Sequence, residues 1–180
     1  MNAKMNRRSV LSLSAVMALG FALLPGSAVS QQKSFKDQFV GTWTVVSWEQ
    51  TNKNGGKFER FGSNPKGVNV FDADGRFFIM YARAELPKMA SNNPSTATPE
   101  EDKGIVGGSV AYFGTYTVDP AGRIVTLRVE ASSLPDQVGA EQKLTVISLT
   151  ADELKYTITT ALTGGAINVA MKRATEVAAN

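Results

Sequence analysis

The chain has 180 residues, with 19 basic and 16 acidic side chains, and it contains neither cysteine nor histidine. The lack of these two residue types excludes disulfides, thiolate or imidazole ligands for a metal, and a Ser-His-Asp triad. The length predicts one domain together with a short additional segment.

The first 30 residues have the pattern of an export signal. Three basic residues precede an uncharged run over residues 10–24, and small residues follow Pro25. This pattern is typical of a cleaved signal peptide, and we place cleavage after Ser30. A retained membrane anchor is the alternative, although the run is shorter than the about 20 residues that span a bilayer. Arg7 and Arg8 resemble a twin-arginine motif but also occur in ordinary signals, which leaves the export route open.

Removal of the signal changes the charge balance. Residues 1–30 carry three of the 19 basic side chains and none of the 16 acidic ones, so the mature chain has a formal net charge of zero. The basic pI therefore gives no indication of nucleic acid or an anionic membrane as a partner. We expect a periplasmic or secreted protein, without stable membrane insertion after cleavage.

The first strand of the mature chain is predicted over residues 41–50, which are rich in β-branched and aromatic residues. Strict alternation places Trp43 and Val45 on one face of this strand, and Val46 and Trp48 on the other. Two tryptophans on opposite faces predict a strand that is covered on both sides.

Two short helical segments are predicted. Ser34 is a suitable N-cap for a turn that carries Phe35 and Phe39 on one face, and this turn would cover the end of the first strand. Thr98, followed by proline, begins a second helix, with Glu101 completing a capping box. Three glycines weaken that helix beyond two turns.

Short segments of alternating apolar and polar residues fill most of the remaining chain, separated by turn signals such as Asn-Gly and Asp-Gly. They predict strands over residues 57–61, 68–71, 76–83, 112–118, 123–131, 141–149, 153–160 and 166–173. Eight or nine strands joined by tight turns predict an all-β, antiparallel up-and-down barrel with one short helix, since closure removes exposed edges. The expected organisation is a signal at 1–30, a lead segment at 31–38, the barrel at 39–174 and a disordered tail at 175–180.

An ordered set of motifs supports this fold, beginning with Gly-x-Trp at residues 41–43. The others lie at 71–76, 81–83, 87–88, 98–101, 112–119, 129–132 and 139–142. Together they resemble the bacterial lipocalin-like domain family, which implies a small calycin-like barrel whose ligand and activity are unassigned in most members. The resemblance also implies that Arg173 packs over Trp43 and closes the barrel floor. Relatives often carry histidine before the Val-Glu at 129–130, where this chain has none, so histidine-dependent chemistry does not carry over.

Several polar and aromatic side chains could line an interior pocket. These are Arg83, Tyr81, Tyr112, Tyr116, Arg128, Glu130 and Gln142. Arg128 and Glu130 share one face of their strand; either that face meets water and the valine face is buried, or the two charges pair inside and orient a ligand head group. Arg83 borders the long irregular segment at 84–97, so it lies either at the barrel mouth or at a solvated strand end.

No metal site, cofactor or catalytic residue is assigned. The acidic residues at 100–102 suit the first turn of a helix, where the helix dipole favours negative charge. Asp72 and Asp74 are explained by a hairpin turn, because the spacing lacks the further oxygen ligands of a calcium loop.

The sequence leads to three functional hypotheses. The first is a protein that binds a small, mainly apolar molecule inside the barrel, with the segment at 84–97 gating the mouth. The alternative is a cofactor-independent enzyme, of cyclase or isomerase type, in which Glu130 or Tyr116 acts beside Arg83 or Arg128. A third is a filled barrel that serves as an interaction or stability module.

Overall fold

The computed structural model describes residues 33–119, 121–159 and 165–175. The predicted signal at 1–30 and nearly all of the predicted tail lie outside the described residues. Within the described part of the chain, no helix is long and apolar enough to cross a bilayer.

The described residues form two helices, nine strands and two 3₁₀ turns. The helices are α1 (Phe35–Phe39) and α2 (Pro99–Gly108), and the 3₁₀ turns are Pro94–Thr96 and Pro135–Gln137. The strands are β1 (Gly41–Thr51), β2 (Lys57–Phe58), β3 (Lys66–Phe71), β4 (Arg76–Ala82), β5 (Ser109–Val118), β6 (Ile124–Ser132), β7 (Glu141–Leu149), β8 (Glu153–Ile158) and β9 (Ala166–Arg173).

The strands form a closed antiparallel barrel. Strands β3 to β9 follow one another in order, and β1 pairs with both β3 and β9, which closes a barrel of eight strands. The short β2 is an extra strand that pairs only with the end of β1, at Gln50 and Thr51. The predicted all-β, up-and-down architecture is therefore confirmed.

Alternate side chains along each strand point into the barrel, as the period of two requires. On β4, Phe77, Ile79 and Tyr81 are buried, whereas Phe78 and Met80 are exposed. The predicted inward face of β8 is also confirmed, since its leucine, tyrosine and isoleucine are buried.

The predicted placement of the two tryptophans on opposite faces of β1 is wrong. Trp43 and Trp48 are both buried in the core, and Val46 is 52% exposed. A β-bulge causes the difference: the pairing with β9 shifts between Val45 and Ser47, so one extra residue changes the phase of the alternation. The strand is therefore covered on its inner face, and both tryptophans serve one core.

Helix α1 covers one end of the barrel, as predicted. Ser34 and Asp37 form a capping box at its start. Phe39 is fully buried, with its ring centroid 4.3 Å from that of Phe71. The indole N–H of Trp43 donates a hydrogen bond of 2.9 Å to the carbonyl oxygen of Phe39. We call this end of the barrel the closed end.

Helix α2 begins with the predicted capping box and continues to Gly108, despite its glycines. Close packing explains why glycine is present. A Cβ atom at Gly104 would lie 2.8 Å from Pro87, and one at Gly108 would lie 2.7 Å from Leu86. The backbone N–H of Ala90 also donates to the Glu101 carboxylate at 2.9 Å. The irregular segment at 84–97 is thus held against α2.

Candidate functional site

The closed end of the barrel is fastened by Arg173. Its guanidinium carbon lies 4.0 Å from the centroid of the Trp43 ring, at cation–π distance. The same group donates to the carbonyl oxygens of Val40 at 3.1 Å and Gln38 at 2.6 Å. A Cβ atom at Gly41, where φ is +134°, would lie 2.5 Å from this guanidinium, so the glycine makes room for it. Arg173 therefore ties the end of β9 to α1 and β1.

Tyr116 belongs to this closed end, and its predicted position in a ligand pocket is wrong. Its ring packs 5.4 Å from Phe71 and 5.9 Å from Phe39, and its O–H donates to the carbonyl oxygen of Asp72 at 2.5 Å. Burial, with a smaller contribution from the charge of Asp72, raises the pKa of Tyr116 to about 12. This tyrosine has a structural partner and stays protonated at neutral pH.

A cavity of about 410 Å³ opens at the other end of the barrel, where β1 finishes. Its walls come from β1, β4, β5, β7, β8 and β9, and from the connections before β3 and before β7. The lining residues are Trp48, Gln50, Arg60, Phe61, Tyr81, Val110, Tyr112, Leu134, Asp136, Gln137, Ala140, Glu141, Gln142, Ile158 and Ile167. The volume lies in the range of small-molecule sites, which argues against the filled-barrel hypothesis.

Aromatic rings form the inner wall of this cavity. Phe61 lies 5.0 Å from Trp48 in an edge-on arrangement and 5.6 Å from Tyr81, measured between ring centroids. Sequence reasoning missed Phe61, because residues 57–61 are read as a strand whereas β2 ends at Phe58. The sequence did contain one indication of this role, since Phe61 is a large aromatic residue next to a turn.

A closed ring of hydrogen bonds lies beside the inner wall. The Tyr81 O–H donates to Asn69 Oδ1 at 2.6 Å, and the Asn69 amide donates to the Tyr156 hydroxyl at 2.9 Å. The two tyrosine hydroxyls are 2.9 Å apart. Because the single proton of Tyr81 is already used, Tyr156 donates to Tyr81. These buried polar groups satisfy one another, which avoids the cost of unpaired groups in the core.

Tyr81, Tyr112 and Gln142 are the predicted site residues that the structure brings together in the cavity. The Tyr112 hydroxyl lies 3.5 Å from Gln142 Oε1. Burial raises the pKa values of Tyr81 and Tyr112 above the ordinary value of 10.0, so both hydroxyls are neutral at physiological pH.

Arg128 and Glu130 lie on the outside of the barrel, which confirms the arrangement in which their face meets water and corrects the alternative that placed them in the pocket. Glu130 forms an exposed ion pair with Arg76 at 2.9 Å, and Arg128 is exposed. The opposite face of β6, with Val125, Leu127 and Val129, is buried. An apolar face gains more from burial than a charged one, so the valine face occupies the core. The enzyme hypothesis loses two of its named residues here and a third with Tyr116.

Arg83 does not line the cavity; Arg60 does. The exposed Arg83 side chain donates from Nε to the backbone carbonyl of Arg60 at 3.0 Å, so it lies next to the rim. None of the lining residues comes from the segment at 84–97. The predicted gate is therefore misplaced, because that segment packs on α2, and the connection at 134–140 borders the cavity instead.

Across the described ranges, no group of three Asp or Glu residues is arranged to hold a metal ion. The site consists of aromatic and aliphatic walls, a few amides, and charged groups at the rim.

A family match agrees with this architecture. The model of the lipocalin-like domain family matches residues 40–175, whereas no curated protein matches the sequence significantly. A solved lipocalin-like protein from Bacteroides uniformis is 12% identical, with 76% of this chain and 99% of that chain covered and a TM-score of 0.39. A redesigned β-barrel is 11% identical, with 81% and 100% covered and a TM-score of 0.43. A biogenic amine-binding protein is 11% identical, with 77% and 65% covered and a TM-score of 0.39.

The family match covers most of the chain and includes every strand of the barrel. The structural likenesses, at these identities and TM-scores, carry no argument about a ligand. The chain belongs to the lipocalin-like domain family.

Proposed function

We propose that the mature chain is an exported protein that binds a small, mainly apolar molecule in the barrel cavity. The cavity of about 410 Å³ at the open end is the observation that carries this proposal. Nine of its 15 lining residues are aromatic or aliphatic and six are polar or charged, and apolar walls combined with polar groups are usual in small-molecule sites. Family membership supports a ligand-binding barrel.

The volume limits the size of the ligand. At about 30 Å³ for each water-sized group, a cavity of 410 Å³ holds about 14 non-hydrogen atoms. Trp48, Phe61 and Ile158 would cover the apolar part of such a molecule. Each buried methylene would contribute about 0.8 kcal/mol, so a medium-length alkyl or aromatic body is sufficient for measurable binding.

Native mass spectrometry of residues 31–180, purified gently from the source organism, tests for a bound molecule. We expect an additional mass that survives native conditions and disappears when the protein is denatured. The same sample, stripped of ligand and titrated with decan-1-ol, should show a saturable change in tryptophan fluorescence.

The two tryptophans provide a matched control for this titration. Trp48 lines the cavity, whereas Trp43 is fully buried at the closed end. Trp48→Phe should remove the fluorescence change, and Trp43→Phe should retain it. An unchanged response in Trp48→Phe, or no bound mass and no saturation with any apolar probe, would refute binding inside this cavity.

Export is the second element of the proposal, and it rests on the pattern of residues 1–30. Expression of the full chain in a Gram-negative host should give a periplasmic protein whose first residue is Gln31. Replacing both Arg7 and Arg8 with lysine should abolish export if the route is the twin-arginine route, and should leave it intact otherwise. A full-length protein in the cytosol or the membrane would contradict the proposal.

A further inference from the structure

We propose that the ligand carries an anionic head group, in the simplest case a carboxylate, which Arg60 binds at the mouth of the cavity. This inference rests on the proposed function and adds the chemical class and the orientation of the ligand.

Arg60 is held in a fixed position before any ligand binds. Its Nε donates to the carbonyl oxygen of Gly107 at 3.2 Å, and its Nη2 donates to those of Val106 at 3.0 Å and Ser109 at 3.3 Å. These carbonyls lie at the end of α2, where the helix dipole favours a cation. The guanidinium carbon also lies 5.3 Å from the centroid of Phe61. A group fixed in this way loses little conformational entropy when it binds a ligand.

The Arg60 guanidinium still has N–H donors for a further hydrogen-bond partner. It has five N–H donors, and its three hydrogen bonds to the end of α2 and the first residue of β5 use only Nε and Nη2. None of the three ion pairs among the described residues includes Arg60. Arg60 therefore lines the cavity as a half-buried cation without a carboxylate partner in the described chain. A planar guanidinium of this kind matches the geometry of a carboxylate.

A second arginine adds to the positive potential at this position. Arg83 does not line the cavity, but it donates to the backbone of Arg60, so its positive charge lies near that of Arg60. Burial, and then the charge of Arg83, lower the pKa of Arg60. Arginine still remains protonated at neutral pH. A bound anion would relieve the repulsion between the two cations.

The negative charges at the rim of the cavity have a weaker effect on a ligand than the positive charge of Arg60. Asp136 and Glu141 also line the cavity, but both are exposed, so water and salt screen them more than the half-buried Arg60. The deeper polar groups, Asn69, Tyr81 and Tyr156, already satisfy one another. A ligand would therefore enter with its apolar part first and leave its head group at the mouth.

Three probes with the same alkyl chain and different head groups test this inference at neutral pH. They are decanoate, decan-1-ol and decylamine, titrated into the stripped mature protein by calorimetry. Hydrogen bonds to a charged group contribute enough for decanoate to bind about 10- to 100-fold more tightly than decan-1-ol. We expect decylamine to bind more weakly than decanoate by at least the same factor.

The variant Arg60→Gln tests whether the preference for decanoate comes from the Arg60 side chain. It should lower the affinity for decanoate to about that for decan-1-ol, whereas decan-1-ol should still bind, which shows that the cavity is intact. Arg128→Gln is the matched control, because it removes one exposed positive charge from the outer wall. This control should bind all three probes like the parent protein.

The results separate the inference from the proposed function. Equal or tighter binding of decan-1-ol or decylamine by the parent protein overturns the anionic head group and leaves a binding barrel. Unchanged decanoate affinity in Arg60→Gln overturns the role of Arg60. If no probe binds, the proposed function fails and the inference falls with it. If Arg60→Gln does not fold, the three probes on the parent protein still decide the head group, and Arg60→Lys, which keeps the charge but loses the planar fork, decides the role of Arg60 by a weaker preference for decanoate.

Discussion

Raising the pH from 10 to 12 is expected to unfold the barrel in one cooperative step. The chain has four tyrosines, and all of them are buried with raised pKa values. Burial is the main cause in each case, because a phenolate in the core would lose its hydration. The pKa of Tyr116 and of Tyr156 is raised to about 12.

The direction of the effect follows from proton linkage. In the unfolded chain, tyrosines lose their protons near pH 10, whereas the folded barrel keeps them protonated to higher pH. Above pH 10 the unfolded state binds fewer protons, so the free energy of unfolding falls as the pH rises. The stabilisation is fully present below pH 10. Four groups at about 1.4 kcal/mol per pH unit each give a slope of about 5.6 kcal/mol per unit, comparable with the whole stability of a typical domain.

Tyrosinate absorbance and near-ultraviolet circular dichroism, recorded on the same samples, measure this transition. We expect the absorbance and the dichroism to change over the same range of pH. Tyr112→Phe should reduce the slope by about a quarter, at little cost to the fold, because its hydroxyl makes only a 3.5 Å contact with Gln142. Gradual ionisation near pH 10 with an unchanged dichroism spectrum would show that the hydroxyls are accessible to solvent and that the expectation is wrong.

Trp43→Ala is expected to lower the free energy of unfolding by about 3–5 kcal/mol, the range for removal of a fully buried large side chain. Trp43 is 0% exposed. The substitution leaves a void at the closed end, removes the hydrogen bond to Phe39, and takes away the ring beneath Arg173. Urea denaturation would measure the loss as a lower midpoint with an unchanged slope.

Trp48→Ala is the matched control, because it removes the same side chain from the same strand. Trp48 borders an existing cavity, so its removal enlarges a space that is already open rather than creating a sealed void. We expect a smaller loss of stability than for Trp43→Ala. Equal losses would mean that the closed end does not depend on Trp43 more than the cavity wall depends on Trp48.

The strands were predictable where one face is apolar and the next turn is marked by Gly, Asn or Asp. Both helix starts were predictable from their capping residues. The bulge in β1 could not be predicted, because Val46 has the same β-propensity as its neighbours. The pairing of β1 with β9 is what shows that Val46 is an extra residue. One such residue reverses the faces of everything beyond it, so strict alternation placed Trp48 on the face opposite Trp43.

The candidate site was harder to predict from the sequence than the strands were, because its residues come together only in the folded chain. Arg60 is held at the cavity by carbonyls at the end of α2 and the start of β5, 46 to 49 positions further along the chain. Asn69 did carry a local signal, as a polar residue at an inward position of β3 between two valines. Arg128 and Glu130 follow the ordinary rule that a charged face meets water and a valine face is buried, and this was one of the two arrangements that the sequence allowed.

The pairing of β1 with β9 joins distant parts of the chain, so we expect the barrel to close late in folding. Arg173 contacts the backbone of Val40 across 133 positions, so the closing contacts have very high sequence separation. Folds dominated by such non-local pairings form slowly, over milliseconds to seconds. A chain whose synthesis stops before β9 would present two unpaired strand edges, one on β1 and one on β8. Such edges recruit other strands, so incomplete chains of this protein would be prone to aggregate.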